Sequence, residues 1–586
     1  MVLHITATNS IKVLTKPCST RNKRLLFANV LVLAMLMLFS SNASTAENSA
    51  PQPVRDTAEI HKLGERMYRE GILPDGTPLR GYIRGDVQVD STMFSCSNCH
   101  TRSGLGSVEG QVASPPINGS TLLTPRYLYI DKIKNSISKS RGVTRPAQAL
   151  RPAYTDDTLA AALRGGFDPR GREFAPVMPR YALNDRDMEI LLSYLKKLSS
   201  HLSPGVTDNT LSFATIVTDD VTPDDRHAML ASLETLVTIN QQTKTQKKLP
   251  QFAKMFRMLD TAFFRDISIK TWELKGDPST WRTQLEAYYQ KDPVFAILGG
   301  ISNQSWQPIH DFCETNQIPN LFPITDLPVI SNSDWYTFYA SKGYYQEGET
   351  AARFLKSNRT GGVSPKILQI VRSTPQGEAL ASGFTSAWND GGHGDLLQTV
   401  KIPHDQPLDA AELQKLLGHD APDTVVIWSG DDVVPTLTGV APNSKLPQVV
   451  VSARYLGMAM TTIPPALRSK VLITYPYRLP QDETTFAGYA DILSLGKLKH
   501  PDEKRIASRT FSLVHIFLQG LKEMKLDYYR DTLLDVLGMR PDQYLPDFER
   551  YSFGPGQRYA SKGCYIVQLD QETAPRLIKK SDWVVF

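Results

Sequence analysis

Residues 57–70, TAEIHKLGERMYRE, place Ile60, Leu63, Gly64, Met67 and Tyr68 on one face at a 3.6-residue period, which predicts an amphipathic helix. Gly64 inside that face costs helix stability, so it is expected to serve a close helix crossing. The partner is legible further on. LNDRDMEILLSYLKKLSS opens on an Asn184/Asp185 cap signal and carries Met188, Leu191, Leu192, Leu195 and Leu198 at helical spacing. After the polar, Pro/Gly-containing stretch 201–210 (HLSPGVTDNT) the pattern changes. Short apolar runs (LSFATIV, ISIKTWEL, VFAILGG) alternate with helical stretches near 226–243 and 279–290. The alternation restarts at PKILQIVRS and continues through TVVIWSG, PQVVVSAR and KVLITYPY, and a long amphipathic helix lies within 504–524. Buried runs alternating with helices predict βαβ units with parallel sheets, here two successive doubly wound lobes.

The first 24 residues hold Lys12, Lys16, Arg21, Lys23 and Arg24 and no acid; an apolar run at 25–39 and the small-residue stretch SSNASTA follow. This is the layout of a secretory signal peptide covering 1–46. Fifteen apolar residues fall short of the roughly 20 that cross a bilayer, so no integral membrane segment is expected after cleavage. An exported, periplasmic chain follows. Losing the five basic residues of the leader brings the formal charge of +5 to zero. The basic balance therefore belongs to the leader and gives no argument for a nucleic-acid partner. About 540 residues remain, too many for one core. Cys18 leaves with the leader, and a disulfide between Cys313 and Cys564 is open to an exported chain.

Residues 94–104, FSCSNCHTRSG, carry C-x-x-C-H, the attachment signature of a c-type haem. Cys96 and Cys99 would form the thioethers and His100 would ligate the iron. A thioredoxin-like dithiol and half of a zinc site are the competing readings; the zinc site lacks two further ligands at comparable spacing.

The Gly/aromatic first helix, the C-x-x-C-H and the methionine of APVMPRYAL ahead of a final amphipathic helix occur in the order of a class I cytochrome c, which residues 55–200 resemble. The resemblance implies an all-α domain with one covalent haem c and Met178 as the second axial ligand, a soft sulfur suited to ferrous iron. Met93, Met188 and His61 are the other candidates for that position. In SPPINGSTL, Pro116 is the expected carbonyl partner of the His100 ring.

Residues 211–586 resemble the type I periplasmic binding proteins, the branched-chain amino acid and amide receptors of ABC transporters, through AILGGISNQSWQPI, IPNLFPIT, YYQEGETAARFL, TPQGEALASGF and FGPGQRY. The resemblance implies an α/β bilobal fold with a small carboxylate or amide ligand between the lobes. Its carboxylate would meet donors at Ser302, Asn303, Ser305 and Thr325, at a helix opening that supplies unpaired N–H groups. Capping of the local backbone is the alternative role for each of these side chains. TDDVTPDD stands where the family has a glycine-rich ligand loop; Asp431 of WSGDD is the candidate for a ligand amine and Tyr455 of SARYLG for a cleft wall, whereas Arg454 would suit an anion instead.

Three functions follow. The first is an electron-transfer cytochrome with a solute-sensing or partner-docking module and a redox partner protein. The second is a transport receptor with an accessory haem domain. The third is the cytochrome subunit of a periplasmic dehydrogenase. No G-x-S-x-G, H-E-x-x-H or P-loop points to an enzyme acting alone. With one polar stretch joining the halves, the haem is expected to be insulated from the lobes.

Overall fold

A computed structural model describes residues 57–126, 150–244, 265–358, 364–390, 396–440, 446–482, 501–524, 528–554 and 556–585. The leader 1–46 lies outside the described residues. From Ile60 onward the chain forms one compact unit.

Its first half contains helices α1 (Thr57–Glu70), α2 (Cys96–His100), α3 (Gly119–Leu122), α4 (Asp156–Gly165) and α5 (Asp185–Lys197). The expected all-α character needs correction. Strands β1 (Arg80–Ile83), β2 (Val87–Asp90) and β5 (Arg180–Tyr181) make an antiparallel sheet, and β3 (Ser107–Glu109) pairs with β4 (Val112–Ser114). These strands are two to four residues long, too short to leave a period-2 signature in the sequence.

α1 crosses α5 at Gly64 as its place in the apolar face predicts. A Cβ there would lie 2.5 Å from Tyr194 Cβ and 2.9 Å from the Ile190 carbonyl oxygen. α5 is capped as read: the Asn184 side chain accepts from the Asp187 N–H at 2.8 Å. Met67, Tyr68, Leu191 and Leu195 fill the shared core. Gly64→Ala is expected to lower stability by about 1–2 kcal/mol in urea unfolding, because overpacking by ~1–3 kcal/mol exceeds the ~1 kcal/mol of helix propensity gained.

In the second half, β6 (Thr210–Thr218), α6 (Pro223–Lys244), β7 (Asp266–Leu274), α7 (Trp281–Lys291), β8 (Ala296–Leu298), α8 (Gln307–Thr315), β9 (Asn320–Leu321) and β10 (Thr337–Phe338) build a parallel sheet of order β10-β9-β8-β6-β7. Along β6, Leu211, Phe213 and Val217 enter one core while Ala214 and Ile216 enter another, so both faces are covered.

After α9 (Gly343–Ser357) come β11 (Ile367–Arg372), α10 (Pro375–Asn389), β12 (Leu397–Ile402), α11 (Ala410–Asp420), β13 (Thr424–Trp428), α12 (Val433–Val440), β14 (Gln448–Ser452), α13 (Ala453–Leu456) and β15 (Val471–Tyr475). The five strands of this group pair in parallel, and the later strand β16 (Gly563–Leu569) joins β15 antiparallel, followed by β17 (Leu577–Lys579). Val425 and Ile427 face one core and Val426 and Trp428 the other.

The lobes are interleaved rather than successive. α14 (Pro501–Met524) and α15 (Arg530–Gly538) return to the first lobe, where Phe517 meets Phe213 edge-on at 5.1 Å between ring centroids. Their apolar stripes show that they are buried but not which sheet they cover.

The stretch 201–210 is tied down: the Ser203 hydroxyl accepts from the Arg530 N–H at 3.1 Å, and the Gly205 carbonyl accepts from Ser212 N at 2.8 Å. Cys313 and Cys564 are separate buried free thiols, so the disulfide between them is not formed. Among the described residues no helix is long and apolar enough to cross a membrane.

Candidate functional site

The strands of the first sheet end at a cavity of about 460 Å³. It is walled by Thr222, Asp224 and Asp225 at the start of α6, by Ile301, Ser302 and Asn303 after β8, and by Ile324 to Leu327 after β9. Tyr344 of α9, Gln376 of α10 and Arg505, Ile506 and Arg509 of α14 close it. Elements of both lobes thus meet beyond the carboxyl ends of parallel strands, where open α/β sheets hold ligands. Gly299 and Gly300 make the turn that sets Ser302 and Asn303 in place, both at positive φ; a Cβ on Gly300 would lie 2.7 Å from the Trp306 ring.

Of the residues expected at the cleft, Ser302, Asn303 and Thr325 line the cavity. Their hydrogen bonds also include local ones. Ser302 Oγ accepts from Gln304 N at 3.1 Å and Thr325 Oγ1 from Leu327 N at 3.1 Å, while each hydroxyl keeps its proton to donate. Asn303 N–H donates to Asp220 Oδ2 at 3.0 Å and its amide to the Asp220 carbonyl at 3.0 Å. An acid of the TDDVTPDD stretch therefore occupies a donor that the resemblance assigns to the ligand.

Ser305, Asp431 and Tyr455 are not among the lining residues. Ser305 accepts from Gln307 N at 3.3 Å, and Asp431 is exposed to solvent. Its neighbour Asp432 instead holds Arg372 and accepts from Ser429 Oγ at 2.8 Å. Tyr455 stands behind the wall, edge-on to Tyr344 at 5.9 Å, its hydroxyl 2.6 Å from Thr374 Oγ1.

A buried charge network not foreseen in the sequence underlies the cavity. Asp326 Oδ1 accepts from Arg454 Nη1 at 2.5 Å and from Arg509 Nη2 at 3.1 Å. Burial would raise the Asp326 carboxyl, but the guanidinium groups of Arg454, Arg509 and Arg505 outweigh it and hold the acid well below its ordinary range. Behind them, Glu347 Oε1 lies 3.3 Å from Arg454 Nε, and Oε2 accepts from Ser452 Oγ at 2.8 Å and Thr474 Oγ1 at 2.7 Å. Burial pushes Glu347 up to about 7 against these partners. A signal for Arg509 does exist: it is a charge set among the apolar positions of a long helix. Asp326, the lone acid of the apolar segment FPITDLPVI, left a similar one.

A second constellation lies in the first half. Cys96, Cys99 and His100 occupy the single turn α2, with His100 buried and Cys99 exposed. The His100 Nδ1–H donates to the Pro115 carbonyl at 2.9 Å, which orients the ring and leaves Nε2 as the nitrogen for a metal. The carbonyl is that of Pro115, not Pro116. In PP the two carbonyls differ only by peptide orientation, which the sequence does not specify. Burial lowers the His100 pKa, favouring the neutral imidazole that a metal requires.

Burial pushes the Cys96 thiol up to about 11 and raises Cys99 as well, the reverse of a reactive dithiol. Met178 packs half-buried on the core of this half; β5 follows it directly, pairing with β1, and the Cys96 Sγ donates to the Tyr181 hydroxyl at 3.8 Å. Met188 is buried within that core, Met93 is 73% exposed, and the His61 ring lies 5.1 Å from that of Tyr194. Met93, Phe94, Val108 and Val112 expose apolar surface on the segments adjoining the cysteines. Two thiols, an imidazole, a thioether and an apolar surround are the donor set and the setting that fit a covalent haem.

Among solved structures, a branched-chain amino acid ABC transporter protein from Thermus thermophilus with bound valine is similar at 12% identity and a TM-score of 0.45; the match covers 64% of this chain and 97% of that one. A fatty acid ABC transporter substrate-binding protein from Thermomonospora curvata matches at 14% identity and 0.42, covering 66% and 95%. A solute binding protein from R. palustris in complex with benzoate matches at 12% and 0.44, covering 64% and 98%. The comparison with curated proteins gives no match. The profile described as Periplasmic binding protein matches residues 265–574, more than half of the chain, and the chain belongs to that family.

Proposed function

We propose that this is an exported solute receptor of the ABC-transporter kind whose first half carries one covalently attached haem c. The cavity between the lobes carries the receptor reading: it is polar, reached from both lobes, and lined by Ser302, Asn303 and Thr325. A small carboxylate or amide is the ligand class that its hydroxyl and amide donors suit. Export and a periplasmic location agree with the family and with the leader read in residues 1–46.

For the haem, Cys96 and Cys99 would hold the group, His100 would ligate it with its ring fixed by Pro115, and Met178 would be the second protein ligand. When bound, such a group supplies one-electron exchange. Electron transfer to a redox partner protein is the second reading, favoured by the buried, oriented His100 beside two cysteines.

The receptor reading is tested by a thermal-shift screen of small carboxylates and amides on the purified haem-loaded chain, since a ligand of the native state raises its apparent stability by mass action. A saturable rise that Ser302→Ala and Thr325→Ala reduce at least tenfold in apparent affinity is expected. A rise that both substitutions leave unchanged would remove the cleft from the function.

A further inference from the structure

The loop that follows His100 is not confined to the first half. Thr101 has φ +62°, a left-handed conformation that a β-branched residue adopts only under constraint. Such strain persists where the surroundings over-determine it. Here they do so from both sides. The Tyr68 hydroxyl donates to the Thr101 carbonyl at 2.7 Å from within the first half. From the second half, the Asp535 carboxylate of α15 accepts from the Ser103 N–H at 2.8 Å, and the Ser103 hydroxyl lies 3.5 Å from that of Thr101. Asp535 is 6% exposed, and water does not compete for these bonds.

One turn earlier, Asp531 accepts from Arg69 Nη2 at 2.5 Å and from the Tyr336 hydroxyl at 3.1 Å. Arg102 lies over the Trp335 ring at 4.3 Å, and Leu105 packs into the core of the first lobe. The stretch 201–210 is therefore not the sole link between the halves: the C-x-x-C-H loop is docked on the lobe through α15. The stretch 201–210 alone showed no sign of this, because Asp535 lies 432 positions from Ser103 in sequence.

Resting on the reading of Cys96–His100 as a haem attachment site, we propose that Asp535 is a positioning residue for His100, acting through Thr101 and Ser103, so that the binding-protein half helps to set the redox equilibrium of the iron. Holding the strained residue next to His100 fixes where the helix α2 ends, and with it the direction of the imidazole. The Pro115 carbonyl holds the ring from the other side.

The test uses the full-length, haem-loaded chain, with the midpoint potential from redox titration and amide hydrogen exchange at Ser103 as readouts. Asp535→Ala removes the acceptor; the ratio of oxidised to reduced iron at a given potential is expected to change about tenfold, ~59 mV for a one-electron couple, with loss of Ser103 protection. Asp535→Ser keeps a polar group in the buried site but is too short to hold the loop, and the same shift is expected. Asp535→Asn retains an acceptor for the Ser103 N–H and is expected to recover most of the shift and the protection. A haem-loaded Ala or Ser variant within twofold of the wild-type ratio would overturn the proposal, even if its melting temperature falls. A wild-type chain without covalent haem would overturn the haem reading itself, and this proposal with it.

Discussion

Cys96→Ala combined with Cys99→Ala is expected to abolish covalent haem: the denatured protein should show no haem staining and the purified protein no haem absorption. The two thioethers are the only covalent links the C-x-x-C-H motif provides, so the effect is all-or-none rather than graded. The cleft should survive. Its walls belong to the cores around Phe213, Phe295 and Phe517 and around Phe384 and Trp428, which contain neither cysteine. Any solute-induced thermal shift of the intact chain should persist in the double variant. Haem staining undiminished in the double variant would show attachment elsewhere and refute the assignment of Cys96 and Cys99.

Asp326→Asn is expected to cost about 3 kcal/mol of stability in denaturant unfolding. Removing one partner of a buried ion pair costs ~3–5 kcal/mol because the other charge stays behind unpaired. Arg454 is left with 2% and Arg509 with 9% of its side chain exposed. The lower end of the range applies because Asp326 itself keeps 28% of its side chain open to the cavity, where water screens it. Glu347, already facing Arg454, compensates only in part, since burial raises its pKa to about 7 and leaves it partly protonated at neutral pH. Asp326 joins Arg454, which follows β14 of the second sheet, to Arg509 of α14 in the first lobe. The substitution should therefore also weaken solute binding. A loss under about 1 kcal/mol would mean that the network does not hold the lobes together.

The sequence showed most of the elements but fewer of the relations between them. Continuous apolar runs such as TVVIWSG and PQVVVSAR are buried on both faces, and that pattern alone identifies parallel strands; β13 and β14 lie where they were read. The Gly64 crossing was legible because a glycine within an apolar helical face has few other uses. The return of α14 and α15 to the first lobe was not, since a burial pattern does not name its partner. At the cleft, Ser302, Asn303 and Thr325 could be placed from the LGG turn and the PIT segment, whose position is set by local backbone. Asp431 and Tyr455 could not, because which acid of WSGDD turns inward depends on Arg372, a residue 60 positions earlier that Asp432 neutralises. The docking of the C-x-x-C-H loop was illegible for the same reason: Asp531 and Asp535 look in the sequence like the polar face of an ordinary helix.

The most direct measurement is a calorimetric titration of the haem-loaded chain with the solute picked out by the thermal-shift screen, repeated on Thr325→Ala and Asp326→Asn. One site per chain, with affinity reduced at least tenfold in both variants, is the expected result. Saturable binding that neither cleft substitution alters, or no saturable binding by any small carboxylate or amide, would contradict a solute receptor built around this cavity.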